Sequence, residues 1–370
     1  MAVPFSCLPL YWNWLALTLL RVEYRDVRVF INNHLFNDRY KNSISTTTYT
    51  SLSSERIVSF LPSSTEILYE IGAGSQIVGV THECKYPDDA KRKPQVINAS
   101  FDAKKMNSTE IDQKIIELTH ASRDIYLIND EKLREAKPDL IIAQGICEVC
   151  APFAREIDRA FSILGYKPDI LVLDPHDLDD ILTSIMDIAE RVNRVTEGRK
   201  LVVSLQKRID SIRMRSGQRI VEEGKKKNNN KPKVLCLEWV DPFFIAGHWV
   251  PQMVDIAGGI NGLSYAGEPS RRINIDEITN FNPDKIILMP CGFDIERTVE
   301  EAKILEGNDK WKSLKSVQSN EVYVVNAGAY FSKPGPRTIT GLEIISKILD
   351  PEGFEDIKVP VGSFIRYRHY

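Results

Sequence analysis

Residues 56–74, RIVSFLPSSTEILYEIGAG, pass from an apolar run to an amphipathic one without a spacer. Ile57-Val58-Ser59-Phe60-Leu61 is short, apolar and partly β-branched, the signature of a buried strand. Pro62-Ser63-Ser64 breaks that run and is expected to cap a helix, with Glu66 in its first turn and Leu68 and Ile71 on one face. Gly72-Ala73-Gly74 stops the helix, and Ile77-Val78-Gly79-Val80 reads as the next strand. Strand, helix, strand in so little chain predicts a parallel pair with a crossover.

The same phrase returns downstream. Lys233–Leu237 reads as a strand, His248–Ile256 as a helix, and Ala257-Gly258-Gly259 as its stop. Lys137-Pro138-Asp139-Leu140-Ile141-Ile142 is echoed by Asn282-Pro283-Asp284-Lys285-Ile286-Ile287-Leu288; in both, Pro ends a helix and Pro-Asp leads into a buried strand. Between the copies lie two stretches with helical spacing, residues 178–192 and about 196–223, the second carrying Leu201, Leu205, Ile209 and Ile212 on one stripe. Lys225 to Pro232 is a solvated loop. The pattern predicts an α/β protein of two Rossmann-like lobes with parallel sheets, joined by a long α-helix. Its divisions are an N-terminal lobe at 56–176, linking helices and loop at 177–231, a C-terminal lobe at 232–350 and a tail at 351–370. Residues 1–55 read as a poorly structured or spurious extension. Their apolar run at 2–20 lacks a positive n-region and a cleavage site, so the expected location is cytoplasmic, the alternative being membrane association through residues 2–20.

Composition narrows the function. A chain of 370 residues with 43% hydrophobic and 27% charged residues suits two ordinary domains. Lys plus Arg number 48 against 51 Asp plus Glu, a net charge of −3 that leaves no basic excess for nucleic acid. Six cysteines in this length are too few for a disulfide scaffold.

In open parallel sheets, ligands sit beyond the carboxyl ends of the strands. Those positions here hold Thr81-His82-Glu83-Cys84, Gln144-Gly145-Ile146-Cys147-Glu148-Val149-Cys150, Trp239, Gly247-His248-Trp249, Pro290-Cys291-Gly292-Phe293 and Tyr330-Phe331 with Arg337. Thiolates and imidazoles suit zinc, iron, copper or cobalt, and the spacings His82-x-Cys84 and Cys147-x-x-Cys150 let each pair bind one ion from one loop. The expected metal donors are therefore His82, Cys84, Cys147, Cys150 and Cys291. Other readings stand beside this one: cysteines as small buried hydrophobes, Cys147 and Cys150 as a redox pair, and His82 as a structural hydrogen-bonding residue. No G-x-S-x-G elbow, G-x-G-x-x-G turn or phosphate-binding G-x-x-x-x-G-K-[ST] loop is present, so catalytic residues are not expected.

The strand–SST–helix opening, the paired Pro-Asp strands, the long linking helix and the Tyr330-Phe331…Pro336-Arg337 loop resemble the iron-chelate/cobalamin substrate-binding proteins of ABC transporters. These are the class III, helical-backbone, periplasmic-binding-protein-like group. The likeness covers residues 56–350, and His82-Glu83-Cys84 with Cys147-Glu148-Val149-Cys150 resembles a cobalamin-binding subgroup. It implies a non-enzymatic protein that holds a cobalamin or related corrinoid between its lobes, with heme, an iron chelate or zinc as alternatives. The implied ligand-binding residues are Ser63, His82, Glu83, Gln144, Trp239, His248, Trp249, Tyr330, Phe331 and Arg337. Glu83 and Gln144 stand where relatives carry aromatics, a departure from the pattern. Implied partners are a small metal-containing ligand and an ABC transporter permease, the protein itself acting as a monomer without nucleic acid. The alternative function is a cytosolic metal-binding protein or metalloenzyme built on the Cys/His set.

Overall fold

The computed structural model describes residues 56–145, 153–225 and 231–368. The first part of the chain runs β1 (Ile57–Ser59), α1 (Pro62–Glu70), β2 (Ile77–Thr81), β3 (Gln95–Ala99), α2 (Ser108–His120), β4 (Tyr126–Ile128), α3 (Asp130–Ala136), β5 (Leu140–Gln144), α4 (Phe153–Leu164) and β6 (Asp169–Leu173). Its six strands form one sheet in the order β4-β3-β2-β1-β5-β6, parallel except for the antiparallel edge β4. Two helices follow, α5 (Leu178–Arg191) and α6 (Val195–Lys225). At 31 residues α6 is about 46 Å long.

The second part holds β7 (Val234–Val240), β8 (Phe243–Ile245), α7 (Val250–Ile256), β9 (Arg271–Arg272), α8 (Ile275–Phe281), β10 (Lys285–Leu288), α9 (Ile295–Ala302), α10 (Asp309–Lys312), α11 (Lys315–Gln318), β11 (Val322–Val325), α12 (Ala327–Tyr330), α13 (Thr338–Leu349) and β12 (Phe364–Tyr367). The sheet order is β12-β11-β10-β7-β8-β9. Only β11, β10 and β7 are mutually parallel; β8, β9 and β12 run antiparallel. Each sheet is thus mixed rather than wholly parallel, and the segment read as a C-terminal tail supplies an edge strand.

The sequence echo has a structural counterpart. Asp139 Oδ1 accepts the backbone N–H of Arg56 at 3.1 Å, and Asp284 Oδ2 accepts that of Lys233 at 2.9 Å. In each lobe the Pro-Asp aspartate therefore pins the start of the neighbouring central strand. The preceding helices also end alike, with Lys137 and Asn282 both left-handed at φ 41° and 48°.

Period-two alternation along the strands sorts the core into layers. Leu140 and Ile142 of β5, Cys236 of β7, Ile287 of β10 and Tyr323 of β11 belong to one cluster that also contains Ile185 and Ile188 of α5 and Leu205, Ile209 and Ile212 of α6. Their strand neighbours Ile141, Leu235, Ile286 and Val324 face away into separate outer clusters. One continuous apolar layer therefore runs from the first sheet through the linking helices to the second. Arg208 of α6 reinforces it with a two-pronged ion pair to Glu343 of α13 at 2.8 and 2.7 Å.

Pro62 occupies the first turn of α1, where its missing N–H costs nothing, and the N-cap residue is Leu61 with no side-chain bond. The serines do not cap. Ser59 and Ser64 hydroxyls lie 2.6 Å apart, Ser64 Oγ donates to Leu61 O at 3.0 Å and Thr65 Oγ1 donates to Ser59 Oγ at 2.8 Å. Every residue from Ser63 to Leu68 is buried, because α1 is covered on several sides rather than one.

Candidate functional site

The segments that follow β1, β2 and β3 in the first lobe meet those at the carboxyl ends of β7, β10 and β11 in the second through two groups of polar contacts. The first centres on the α12–α13 loop. Arg337 grips both carboxylate oxygens of Glu66 on α1, with Nε to Oε2 at 2.9 Å. Its guanidinium also lies over the Tyr86 ring at 4.1 Å and near that of Tyr330 at 5.9 Å. Beside it, Lys333 Nζ donates to Glu83 O at 3.0 Å. Gly335 fits against Ser63, where an added Cβ would stand 3.4 Å from the serine Cβ.

The second group ties the start of α2 to the other lobe. Trp239 Nε1 donates to Ser108 O at 3.1 Å, Ser108 N donates to Glu301 Oε2 at 3.0 Å, and Thr109 Oγ1 donates to Asp241 Oδ2 at 2.6 Å. Arg297 lies over the Phe293 ring at 3.8 Å and donates to the carbonyls of Ala103 and Met106. Arg272 pairs with Asp112 through both oxygens at 2.7 and 2.6 Å. Glu301 meets an N–H of the first helical turn, where a carboxylate is electrostatically favoured.

Burial sets the protonation of these groups. It pushes the Glu66 carboxyl up against the opposing pull of Arg337, and it pushes Lys333 down. His82 and His248 are both lowered, chiefly by burial. For His248 the neighbouring His176, whose ring lies 6.1 Å away, adds to the effect. Tyr330 is raised by burial first.

Several residues named from sequence lie in or beside these contacts: Ser63, Glu83, Trp239, Tyr330 and Arg337. His82 Nε2 is 3.7 Å from Glu83 Oε1, its ring 6.3 Å from Tyr126, and Gln144 ends β5 half-buried. His248 is half-buried with a left-handed backbone, φ 53°, next to Trp249 and His176.

Other expectations are corrected. Trp249 and Phe331 are core residues, 6% and 3% exposed, joined by a bond from Trp249 Nε1 to Phe331 O; they hold the C-terminal loops from beneath. Cys84 is 3% exposed, with Sγ 3.1 Å from Thr65 Oγ1 and 3.4 Å from Thr81 Oγ1. It packs as a small apolar side chain, and burial raises its thiol pKa. Cys291 is exposed on the other lobe, while Cys147 and Cys150 lie outside the described residues. Among the described residues no three His, Cys, Asp or Glu side chains are grouped to hold a metal ion. A shared loop position does not make a shared centre, since alternate residues of one loop point to different layers.

Sequence reasoning missed Glu66, Tyr86 and Lys333. Glu66 looked like an ordinary first-turn acid, and only the second lobe gives it a partner 271 positions away. Tyr86 lies two residues beyond the HEC segment, and Lys333 lies inside the YF…PR segment.

Two α/β lobes on a helical spine, facing each other through their strand ends, define a ligand-binding architecture. The periplasmic binding protein family profile matches residues 57–328, and the chain belongs to that family. It is 24% identical over 307 residues to the ABC transporter substrate-binding lipoprotein YvrC of Bacillus subtilis, covering 82% of each chain. It is 23% identical to the vitamin B12-binding protein of Vibrio cholerae over 80% of this chain and 89% of that one. Among solved structures, a periplasmic heme-binding protein from Pseudomonas aeruginosa superposes with a TM-score of 0.57 at 15% identity, covering 81% of this chain and 94% of that one. Members of the family are substrate-binding proteins rather than enzymes. The expected cytoplasmic location is overturned: relatives are lipoproteins and periplasmic proteins, which work outside the cytoplasm. Among the described residues no helix is long and apolar enough to cross a membrane, and residues 2–20 lie outside them.

Proposed function

We propose that this protein holds a metal-containing tetrapyrrole, or a chelate of similar size, between its lobes and passes it to an ABC permease. It acts as a monomer, performs no chemistry on its cargo and has no nucleic-acid partner. The observation that carries the reading is the aromatic set at the facing strand ends. Tyr86 and Tyr330 flank Arg337 on one side, and Trp239, half-buried and backed by the core residue Phe293 at 5.3 Å, stands on the other. Aromatic faces at such positions suit a broad, flat, polarizable ligand. Relatives named for vitamin B12 and heme support the same class.

The ligand-contacting residues in this reading are Tyr86, Glu83, Gln144, Trp239, Tyr330 and His248, with His82 at the rim. The metal arrives inside the ligand. Titrating the full-length protein with hydroxocobalamin and with hemin is expected to shift the visible spectrum of one of them saturably. Spectra that remain the sum of their components at micromolar concentrations refute the proposal.

A further inference from the structure

The charges at the strand ends do not balance. Arg337 is occupied by Glu66, Lys85 by both oxygens of Glu83 at 3.1 and 3.0 Å, and Arg272 by Asp112. Lys333 differs. Its side chain reaches from the α12–α13 loop to the opposite lobe and meets a carbonyl there, Glu83 O. Among the described residues no carboxylate oxygen lies within the 4.0 Å of an ion pair from its Nζ. An ammonium has three donors, and this one is half-buried. The charged groups bearing on it are Glu66 and Glu83 against Lys85 and Arg337. With Lys333 itself the patch holds three cations and two carboxylates, one positive charge in excess. A desolvated cation without a counter-ion is costly unless an anion joins it.

We propose that Lys333 is the anion subsite of the cleft, pairing with a carboxylate or phosphate oxygen carried by the bound ligand. This rests on the cleft being the ligand site. It also reassigns the role expected of Arg337, whose fork is already filled from within the protein.

The test compares wild type, Lys333→Met and Lys333→Arg in paired titrations. Hemin is set against its dimethyl ester, which lacks ionised propionates. Cyanocobalamin is set against cobinamide, which lacks the phosphodiester. A charge-assisted hydrogen bond at a desolvated site is worth about tenfold to a hundredfold in affinity. Wild type should prefer the anionic member of one pair by that factor. Lys333→Met should abolish the preference and Lys333→Arg should largely retain it; the responding pair tells carboxylate from phosphate. A preference that survives in Lys333→Met, or none in wild type, overturns the assignment while leaving tetrapyrrole binding intact. If wild type binds neither class, thermal stabilisation by ferric citrate decides. Stabilisation lost in Lys333→Met keeps the anion subsite and discards the tetrapyrrole. Equal stabilisation of both proteins, or none, discards the subsite.

Discussion

Replacing Arg337 with Met isolates the more buried of the two ion pairs described between the lobes. Glu66 is 3% exposed and Arg337 21%, so the substitution leaves a carboxylate buried without its partner. Losing one member of such a pair costs about 3 kcal/mol. With an unfolding entropy near 2.1 cal/mol/K per residue and roughly 300 cooperative residues, that is a fall of about 5 °C in Tm. The loss depends on pH with a defined sign. Burial already raises the Glu66 pKa above its ordinary 4.5, and without Arg337 it rises further. The folded variant then holds a proton that the unfolded chain has released, so its stability declines as pH climbs above 4.5, by about 1.4 kcal/mol per unit while that proton is retained. Thermal melts of the full chain at pH 5 and pH 8 should show a small deficit at the lower pH and a larger one at the higher. Glu66→Leu combined with Arg337→Met should recover much of the loss, because no charge remains to be buried. Equal deficits at both pH values, or a double variant no more stable than Arg337→Met, refute the reasoning.

Three further outcomes are expected. His82 and His248 are held neutral by burial below the ordinary 6.5, so the unfolded chain binds protons preferentially as pH falls, and stability declines from pH 7.5 to 5.5. His248→Gln should flatten that slope in urea melts, and an unchanged slope removes His248 from the account. Gly247→Ala would put a Cβ 2.5 Å from Glu268 O and Ser270 N, both backbone atoms, and should cost about 2 kcal/mol or more. Gly217→Ala, in the exposed interior of α6 with nothing within 4 Å, should instead stabilise by about 1 kcal/mol; denaturant midpoints that fail to separate the two contradict the packing described. Maleimide at pH 7.5 should label Cys291 and spare Cys84 and Cys236, the latter's thiol pushed up to about 12 by burial; peptide mass mapping of comparable labelling at all three would show these interiors to be open.

Much of the fold was legible because its signals are local. The Pro-Asp echo marks equivalent strand starts, and the stripe Leu205, Ile209, Ile212 marks the buried face of the linking helix. The mixed character of the sheets was not legible: β9 is two residues long, and β12 pairs with β11 across a distance in sequence that no periodicity reports. At the site, sequence located the loops but not the direction of each side chain. His82, Glu83 and Cys84 are consecutive, yet the first two are only half-buried while Cys84 turns into the core beside Thr65.

By itself the sequence determined the two α/β halves, the long helix between them and the loops at which they meet, because strand and helix periods and Pro-Gly punctuation act over a few residues. Only the tertiary structure decided which charges in those loops are already paired. Glu66 meets Arg337, Asp112 meets Arg272 and Lys333 meets a carbonyl. Coulomb energy depends on separation in space and on the exclusion of water, and neither quantity is a function of position along the chain.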